Sequence, residues 1–412
     1  MKRMALIALA LACGKSHAPA AGSTGAFGIV TVDGRQKMYL PLIDSSLGPL
    51  GAARIAVVDV GIKGNGSAGA PALIKIIALG GTGAPDSTGG DETIVVAAST
   101  SSPVVWFIDP RSDTVVKTLT LTSAGTSSFS GGGGYVTGIA VDSGNRRAVL
   151  SVWNGFAIVD LDKKEIARTI VAAPSENFGY DSVAQRIVAP FYACPPALDI
   201  CGQYKTPSGA AMSDGLNVVD LRDDSVYTYQ DATAANPAQP LGGEPDSAAV
   251  DPSTGRAVVP SELSGGSTVL DLAHASFDKT KKGFTAPHKT IGTVTSLTGV
   301  AIEPGRHFAF WEAEGASLVA VADLGKDNSL VTGEVPSAPG SINAWRNMGD
   351  PHGIAVTTGI ADGKPVGFVV NSDRTWIARI DLEGMLATLA TNQLGPAEMA
   401  RFVTFLDPSR TN

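Results

Sequence analysis

The chain has 412 residues and a formal net charge of −8, with 31 basic against 39 acidic side chains and 48 glycines. This acidity, without any basic cluster, makes the chain a poor candidate for nucleic-acid binding. The glycine content exceeds the usual share of about 7% and is typical of a β protein with many turns. Beyond the amino terminus, no apolar run approaches the roughly 18 residues that a membrane-spanning helix requires.

The amino terminus has the features of a short secretory signal, with two basic residues before an apolar stretch over residues 4–12. The segment Leu9-Ala10-Leu11-Ala12-Cys13-Gly14 resembles a bacterial lipobox, although Ala10 departs from the common pattern, which has Leu there. The resemblance implies that Cys13 is lipidated and becomes the first residue. The alternative is ordinary cleavage after Ala20, which follows a small-x-small pattern.

In the lipobox interpretation, residues 1–12 are a lipoprotein signal peptide and residues 13–25 are a flexible tether rich in small residues and Pro. We therefore expect an exported protein of the cell envelope, anchored to an outer membrane or a cell surface. The lipid is the only predicted membrane contact.

The rest of the chain repeats one unit, seen most clearly between Gly138 and Ile170. Four short apolar runs, separated by turns of Gly, Asn and Asp, predict four consecutive antiparallel strands. The third run of each copy meets an Asp, and this marker recurs every 50 to 60 residues, at Asp59, Asp109, Asp160, Asp220, Asp271, Asp323 and Asp381. Seven copies predict an all-β fold, a seven-bladed β-propeller of four-stranded antiparallel blades over residues 26–394. In blade two, no first strand is recognisable between Gly80 and Asp91.

The last copy begins Asp350-Pro351-His352-Gly353-Ile354-Ala355-Val356, and the copies share the order Asp, turn, Arg, two apolar runs and Asp. This pattern resembles the YVTN and NHL classes of β-propeller repeats. The resemblance implies the fold but no single activity, because that family includes lactonases, lyases, electron-transfer partners and binding scaffolds.

In NHL-type amidating lyases, His residues before the first-strand Gly of several blades meet at a zinc ion. Here His352 has that position, and the corresponding residues of other blades are Thr137, Phe178, Asp246 and Thr298. The resemblance therefore excludes a three-His site, but it leaves a mixed site of Glu244, Asp246 and His352 for a divalent cation, Ca²⁺ or Zn²⁺. Lactonase members of the propeller family bind such an ion through acidic residues and Asn, and this remains an analogy.

In an antiparallel blade, the loop before the first strand and the loop between the second and third strands emerge on the same face. We therefore expect one mouth of the central channel to be ringed by the candidate ligand-binding residues Glu176, Asn177, Glu244, Asp246, Asp350, His352 and Trp311. The second-to-third loops add Glu262, Glu312, Glu314, Asp373, Arg374 and Trp153. Such an acidic rim suits a divalent cation, or a cationic or sugar-like ligand. The alternative is that exposed loops are polar anyway and these carboxylates have no function.

Cys194 and Cys201 are the cysteines that remain once Cys13 is assigned to the lipid. Their spacing in an exported protein predicts a local disulfide. Two thiols without a nearby His make a poor zinc set, which is the competing interpretation. The pair belongs to an insertion between the second and third strands of blade four. We expect this loop to lean over the channel mouth, although a plain surface excursion is the alternative.

The end of the chain breaks the repeat. Pro396 and the apolar residues at positions 399, 402, 403 and 406 predict a short helix within a tail over residues 395–412. A strand over residues 403–406 that closes the ring is the competing interpretation.

These features predict a monomeric, lipid-anchored binding protein that recognises a protein, a glycan or a small ligand at the channel mouth. A metal-dependent lactonase or hydrolase is the alternative, so the sequence does not decide whether the protein is an enzyme.

Overall fold

Seven antiparallel sheets of four blade strands follow one another along the chain. The computed structural model describes residues 27–42, 53–63, 72–80, 85, 87–99, 102–121, 136–152, 154–192, 201–292, 297–303, 305–313, 317–326, 330–336, 353–358, 363–370, 377–388 and 393–406. These residues form the predicted seven-bladed β-propeller, and the fold class is confirmed.

The first four blades use sixteen consecutive strands. Blades one and two contain β1 (Gly28–Val32), β2 (Arg35–Leu42), β3 (Arg54–Lys63), β4 (Ala72–Ala78), β5 (Ser87–Gly90), β6 (Val95–Ala98), β7 (Val104–Asp109) and β8 (Thr114–Thr120). Blades three and four contain β9 (Val136–Asp142), β10 (Arg147–Val152), β11 (Gly155–Asp160), β12 (Glu165–Val171), β13 (Gly179–Asp181), β14 (Arg186–Phe191), β15 (Gly215–Asp220) and β16 (Ser225–Tyr229).

The last three blades include inserted strands. Blade five contains β17 (Ala249–Asp251), β18 (Arg256–Pro260), β19 (Ser267–Asp271) and β22 (His288–Ile291), with the inserted hairpin β20 (Ser276–Asp278) and β21 (Gly283–Thr285). Blade six contains β23 (Leu297–Glu303), β24 (Phe308–Ala313), β25 (Leu318–Asp323) and β26 (Leu330–Glu334). Blade seven contains β27 (Ile354–Thr358), β28 (Pro365–Val370), β29 (Ile377–Asp381) and β31 (Val403–Leu406), with β30 (Gln393–Leu394) inserted.

Helices are few in the described part of the chain. The α-helices are α1 (Leu382–Leu386) and α2 (Pro396–Met399), and the 3₁₀ turns are Cys201–Gln203 and Leu272–His274. None of these helices is long and apolar enough to cross a membrane.

The first strand of each blade lies at the propeller axis, where neighbouring backbones crowd one another. A Cβ atom on Gly179 would lie 3.0 Å from the backbone carbonyl carbon of Ala249 in the next blade. A Cβ atom on Gly89 would lie 3.0 Å from Cγ2 of Ile139. The crowding explains why small residues recur in these strands.

In blades two to seven, the Asp that marks the repeat holds the turn after the third strand. Asp109 Oδ1 accepts a hydrogen bond from the backbone N–H of Arg111 at 2.9 Å, and Asp323 Oδ1 accepts one from Gly325 at 2.9 Å. An Asp side chain that bonds the backbone two residues ahead stabilises a turn directly. The bond from the Arg111 N–H also holds the pKa of Asp109 below its ordinary value.

Apolar side chains join each blade to the next. Between blades one and two, Val57 and Ile77 pack in one buried cluster with Val95 and Trp106. The ring closes in the same way, because Val58 of blade one shares a buried cluster with residues of blade seven such as Phe368. A hydrogen bond of 3.0 Å from Gln36 Nε2 to Thr357 Oγ1 crosses the same interface.

Inserted strands cover the outer edges of two blades. β21 of the blade-five hairpin pairs in parallel with β16, and Tyr229 lies opposite Phe284. β30 pairs in parallel with β26, and Gly333 lies opposite Leu394. Each insertion comes from the following blade, so it satisfies an exposed strand edge and links two blades at once.

Two details differ from the sequence analysis. Blade two does have a first strand, β5, whose sequence Ser-Thr-Gly-Gly has none of the apolar residues by which strands are recognised. In the tail over residues 395–412, the predicted short helix is the four-residue α2, and the competing interpretation, a strand over residues 403–406, is also present, because β31 supplies the outer strand of blade seven by pairing with β29. Pairing with β29 explains why residues 403–406 form a strand, because the outer edge of β29 would otherwise be open.

Candidate functional site

A small cavity of about 60 Å³ lies at one end of the propeller axis. Residues at or before the first strands of blades three to seven line it, and Glu312 at the end of β24 completes the wall. We call this the mouth cavity, and its polar wall consists of Glu176, Asn177, Asp246, Ser247, Thr298 and Glu312. The loops that the topology places on one face therefore do converge here.

A belt of hydrogen bonds from Ser and Thr side chains joins neighbouring blades at this end of the first strands. Thr88 Oγ1 accepts from the Gly28 N–H at 2.9 Å, and Ser87 Oγ donates to the Thr137 carbonyl at 2.8 Å. The Thr137 hydroxyl in turn donates to the Ser175 carbonyl at 2.8 Å. The belt fixes the spacing of the backbones around the channel mouth.

The belt continues into blades four to six beside the cavity. The Asn177 N–H donates to the Asp246 carbonyl at 3.2 Å, and the Ser247 hydroxyl donates to the carbonyl of Thr298. These Ser and Thr residues were not identified from the sequence as functional. The signal that could have identified them is a small hydroxyl residue within two positions of the start of the first strand, which recurs in blades two, three, five and six.

Three predicted ligand-binding residues meet at the mouth cavity: Glu176, Asn177 and Asp246. Glu176 Oε1 accepts a hydrogen bond of 2.6 Å from the Tyr192 hydroxyl, which holds the carboxylate in place. Asp246 is 7% exposed, so its side chain is largely shielded from bulk solvent.

Glu312 approaches the same cavity from blade six, with 2% of its surface exposed. A Cβ atom on Gly299 would overlap the Glu312 carboxylate. Glycine at position 299 is therefore what allows this carboxylate to reach the cavity wall.

Other predicted residues lie elsewhere. Glu244 does not line the mouth cavity; it adopts a positive φ of 53°, and its carbonyl accepts the Glu262 N–H at 3.1 Å. Trp311 is fully buried in the apolar cluster between blades five and six, so it does not reach the mouth. Asp350, His352, Glu314, Asp373, Arg374 and Trp153 lie outside the described residues.

Among the residues that the structure describes, no group of three or more His, Cys, Asp and Glu is placed to hold a metal ion. The proposed mixed site of Glu244, Asp246 and His352 includes a residue outside that part of the chain. It stays a prediction, as does the identity of the cation.

The blade-four insertion has a small core of its own. Phe191 and Tyr204 stack with ring centroids 4.8 Å apart, and the Tyr204 hydroxyl accepts the Ala173 N–H at 2.8 Å. Cys201 lies in this core. Cys194 is outside the described residues, so its pairing with Cys201 stays a prediction.

The described residues of the insertion do not line the mouth cavity. Gln203, Tyr204 and Lys205 line a groove beside β16 on the outside of blade four. The loop from Cys194 to Cys201 is predicted to lean over the mouth, and its residues 194–200 lie outside the described part of the chain.

No protein-family model and no curated protein matches this sequence. Solved structures do resemble the fold. Kuenenia stuttgartiensis hydrazine synthase matches with a TM-score of 0.51 and 11% identity, over 96% of this chain and 98% of that chain. The WD40 domain of Toxoplasma gondii coronin matches with a TM-score of 0.53 and 11% identity, over 87% of this chain and 82% of that chain.

A third similar structure is KlHsv2 with loop 6CD replaced by a Gly-Ser linker, with a TM-score of 0.50 and 10% identity over 87% of this chain and 93% of that chain. At these identities the likeness concerns the fold alone. This chain therefore has a seven-bladed β-propeller fold like that of WD40 domains.

Proposed function

We propose that this chain is an exported, lipid-anchored binding protein that recognises a protein partner at the mouth cavity and its rim. One observation carries the proposal: acceptor groups from blades four, five and six converge on a single enclosed cavity. Polar groups that converge in a concave site are the usual mark of a binding site.

The size of the mouth cavity supports a protein partner among the predicted ligand classes. Sites for drug-sized molecules occupy about 300–1,000 Å³, whereas this cavity measures about 60 Å³. A sugar ring or a free small ligand of that kind has no room to be enclosed. A protein partner instead covers the surrounding rim and inserts one small group.

The position of the amino terminus supports a partner close to the membrane. β1 begins at Gly28 beside Thr88, at the mouth end of the propeller. Residues 13–25 can extend at most about 45 Å, so a lipid on Cys13 would hold the mouth face within that reach of the bilayer.

The metal-dependent hydrolase alternative receives less support. Its three candidate ligands would have to converge, but Glu244 does not share the cavity wall with Asp246.

Site-specific photo-crosslinking in cells that make the protein tests the proposal. A photoreactive amino acid is placed at Asn177 on the cavity wall or, as a control, at Lys163 in an exposed turn at the opposite end of blade three. We expect one discrete protein adduct from position 177 and none from position 163. No adduct from position 177, or the same adduct from both positions, would contradict the proposal.

A further inference from the structure

We infer that the mouth cavity is a receptor for the guanidinium group of a single arginine side chain, presented by the partner. This inference rests on the proposed function, because it names the chemistry by which the partner is recognised.

The wall of the mouth cavity supplies acceptors and negative charge. Carboxylates come from three successive blades, at Glu176, Asp246 and Glu312. Among the described residues that line the cavity, none is Lys, Arg or His. A guanidinium group carries a permanent positive charge and only donors, so it complements such a wall.

A second observation, independent of the acidic residues, is the hydroxyl group of Thr298. Thr298 is 3% exposed, lines the cavity, and its Oγ1 has no hydrogen-bond partner. The hydroxyls of Thr88 and Thr137, at the same position in the first strands of blades two and three, both form hydrogen bonds. A buried hydroxyl without a partner is costly, and a donor inserted into the cavity would supply the missing bond.

The arrangement of the acceptors favours arginine over a metal ion or lysine. Among the described residues, no group of three or more His, Cys, Asp and Glu is placed to hold a metal ion. A guanidinium group spreads five N–H donors over a planar fork and can reach acceptors on separate blades. The cavity, at about 60 Å³, is far smaller than a site for a drug-sized molecule, so it suits a single small head group.

Isothermal titration of the mature protein tests the inference with three probes: Nα-acetyl-arginine methylamide, its neutral citrulline isostere and its lysine counterpart. We expect the arginine probe to bind with a dissociation constant on the order of 1 mM, as suits a ligand of this size. The citrulline probe should not bind detectably, and the lysine probe should bind more weakly than the arginine probe.

Matched variants locate the binding. Glu176→Gln keeps an acceptor for Tyr192 but removes the charge, and should weaken arginine binding about tenfold. Glu165→Gln, in the exposed outer strand of blade three, should leave the affinity unchanged. Thr298→Val should also weaken arginine binding without lowering the melting temperature, because it deletes a hydroxyl that has no partner in the free protein.

Equal binding of the arginine and citrulline probes, no binding of the arginine probe, or equal effects of Glu176→Gln and Glu165→Gln would each overturn the inference. The photo-crosslinking result separates this failure from that of the proposed function. An adduct at position 177 without arginine binding leaves the binding protein intact and removes arginine as its ligand. Arginine binding without an adduct supports the receptor site and removes the proposed protein partner.

Discussion

Replacing Lys37 by Met should be among the most destabilising single changes in this propeller. Lys37 of β2 and Asp113, in the turn between β7 and β8, form an ion pair between blades one and two with Nζ and Oδ2 2.9 Å apart. Both residues are buried, at 7% and 6% exposure. Lys37 Nζ also donates to the Pro110 carbonyl at 2.8 Å, and the Tyr39 hydroxyl donates to Asp113 Oδ1 at 2.5 Å.

The expected magnitude follows from the burial of both charges. Removing one partner of a buried pair leaves an uncompensated charge and costs about 3–5 kcal/mol. That is a large share of the roughly 5–15 kcal/mol that stabilises a typical protein. Burial raises the pKa of Tyr39 far above its ordinary value, so this hydroxyl remains a donor to Asp113 but cannot replace the cation.

Urea unfolding of the mature protein measures the effect, and a second variant checks its cause. Lys37→Met combined with Asp113→Asn removes both charges, and Asn tolerates the positive φ of 51° at position 113. We expect the double variant to recover about half of the free energy of unfolding lost in Lys37→Met. A loss below about 1 kcal/mol in the single variant, or no recovery in the double variant, would refute the electrostatic reasoning.

Three further predictions concern the anchor, the last strand and acid stability. Cys13→Ser should release the protein from the membrane fraction or block its processing, and an unchanged membrane pool would contradict lipidation. Deleting residues 403–412 removes β31 and exposes the edge of β29. The cooperative thermal transition, followed by circular dichroism, should therefore be lost or moved to a much lower temperature. An unchanged melting curve would argue against a stabilising role for β31. Burial alone would raise the pKa of Asp142, but hydrogen bonds from Tyr180 and Asn145 hold it below its ordinary value. The contribution of the Asp142 carboxylate to the free energy of unfolding is therefore present above its unfolded pKa and lost as the pH falls through its lower folded pKa. The difference in unfolding free energy between wild type and Asp142→Asn should shrink between about pH 6 and about pH 2. A constant difference would be inconsistent with this linkage.

The blade count was predictable from the sequence because its marker residue has a local structural task. In blades two to seven, the Asp that ends the third strand accepts turn N–H groups, so the same turn chemistry explains its presence in copies that otherwise differ. Strand β5 was not predictable in this way. Its small residues suit the crowded axis, and hydrophobic periodicity has no signal to follow there.

The carboxyl-terminal strand was predicted less well because two local signals overlap. Pro396 does begin a helix, but it lasts only to Met399, and Val403–Leu406 then pairs with β29. The spacing of the apolar residues fits a helix and a short strand equally well. Only the open edge of β29, which is distant in sequence, distinguishes the strand from the helix.

Two adjacent residues of β24 have different roles at the candidate site. Trp311 and Glu312 are neighbours in β24, so their side chains point to opposite faces of the blade. The sequence predicts Trp311 as a ligand-binding residue and Glu312 only as part of the rim. In the structure Trp311 lies in the core and Glu312 lines the mouth cavity.

The acidic residues Asp251 and Glu176, at opposite ends of the propeller, differ in what they bond to. This difference makes the mouth the better candidate for recognition. At the end opposite the mouth, Asp251 is fully buried. Its carboxylate accepts hydrogen bonds from the Ser253 N–H at 3.0 Å and the Thr254 hydroxyl at 2.9 Å. Nδ1 of His307, in the next blade, lies 2.6 Å from Asp251 Oδ2. Its acceptor capacity serves the turn and the junction between blades. At the mouth, Glu176 is held by Tyr192 yet still lines a cavity. A change at Asp251 should therefore appear in the stability of the ring, whereas Glu176→Gln should alter binding while the fold persists.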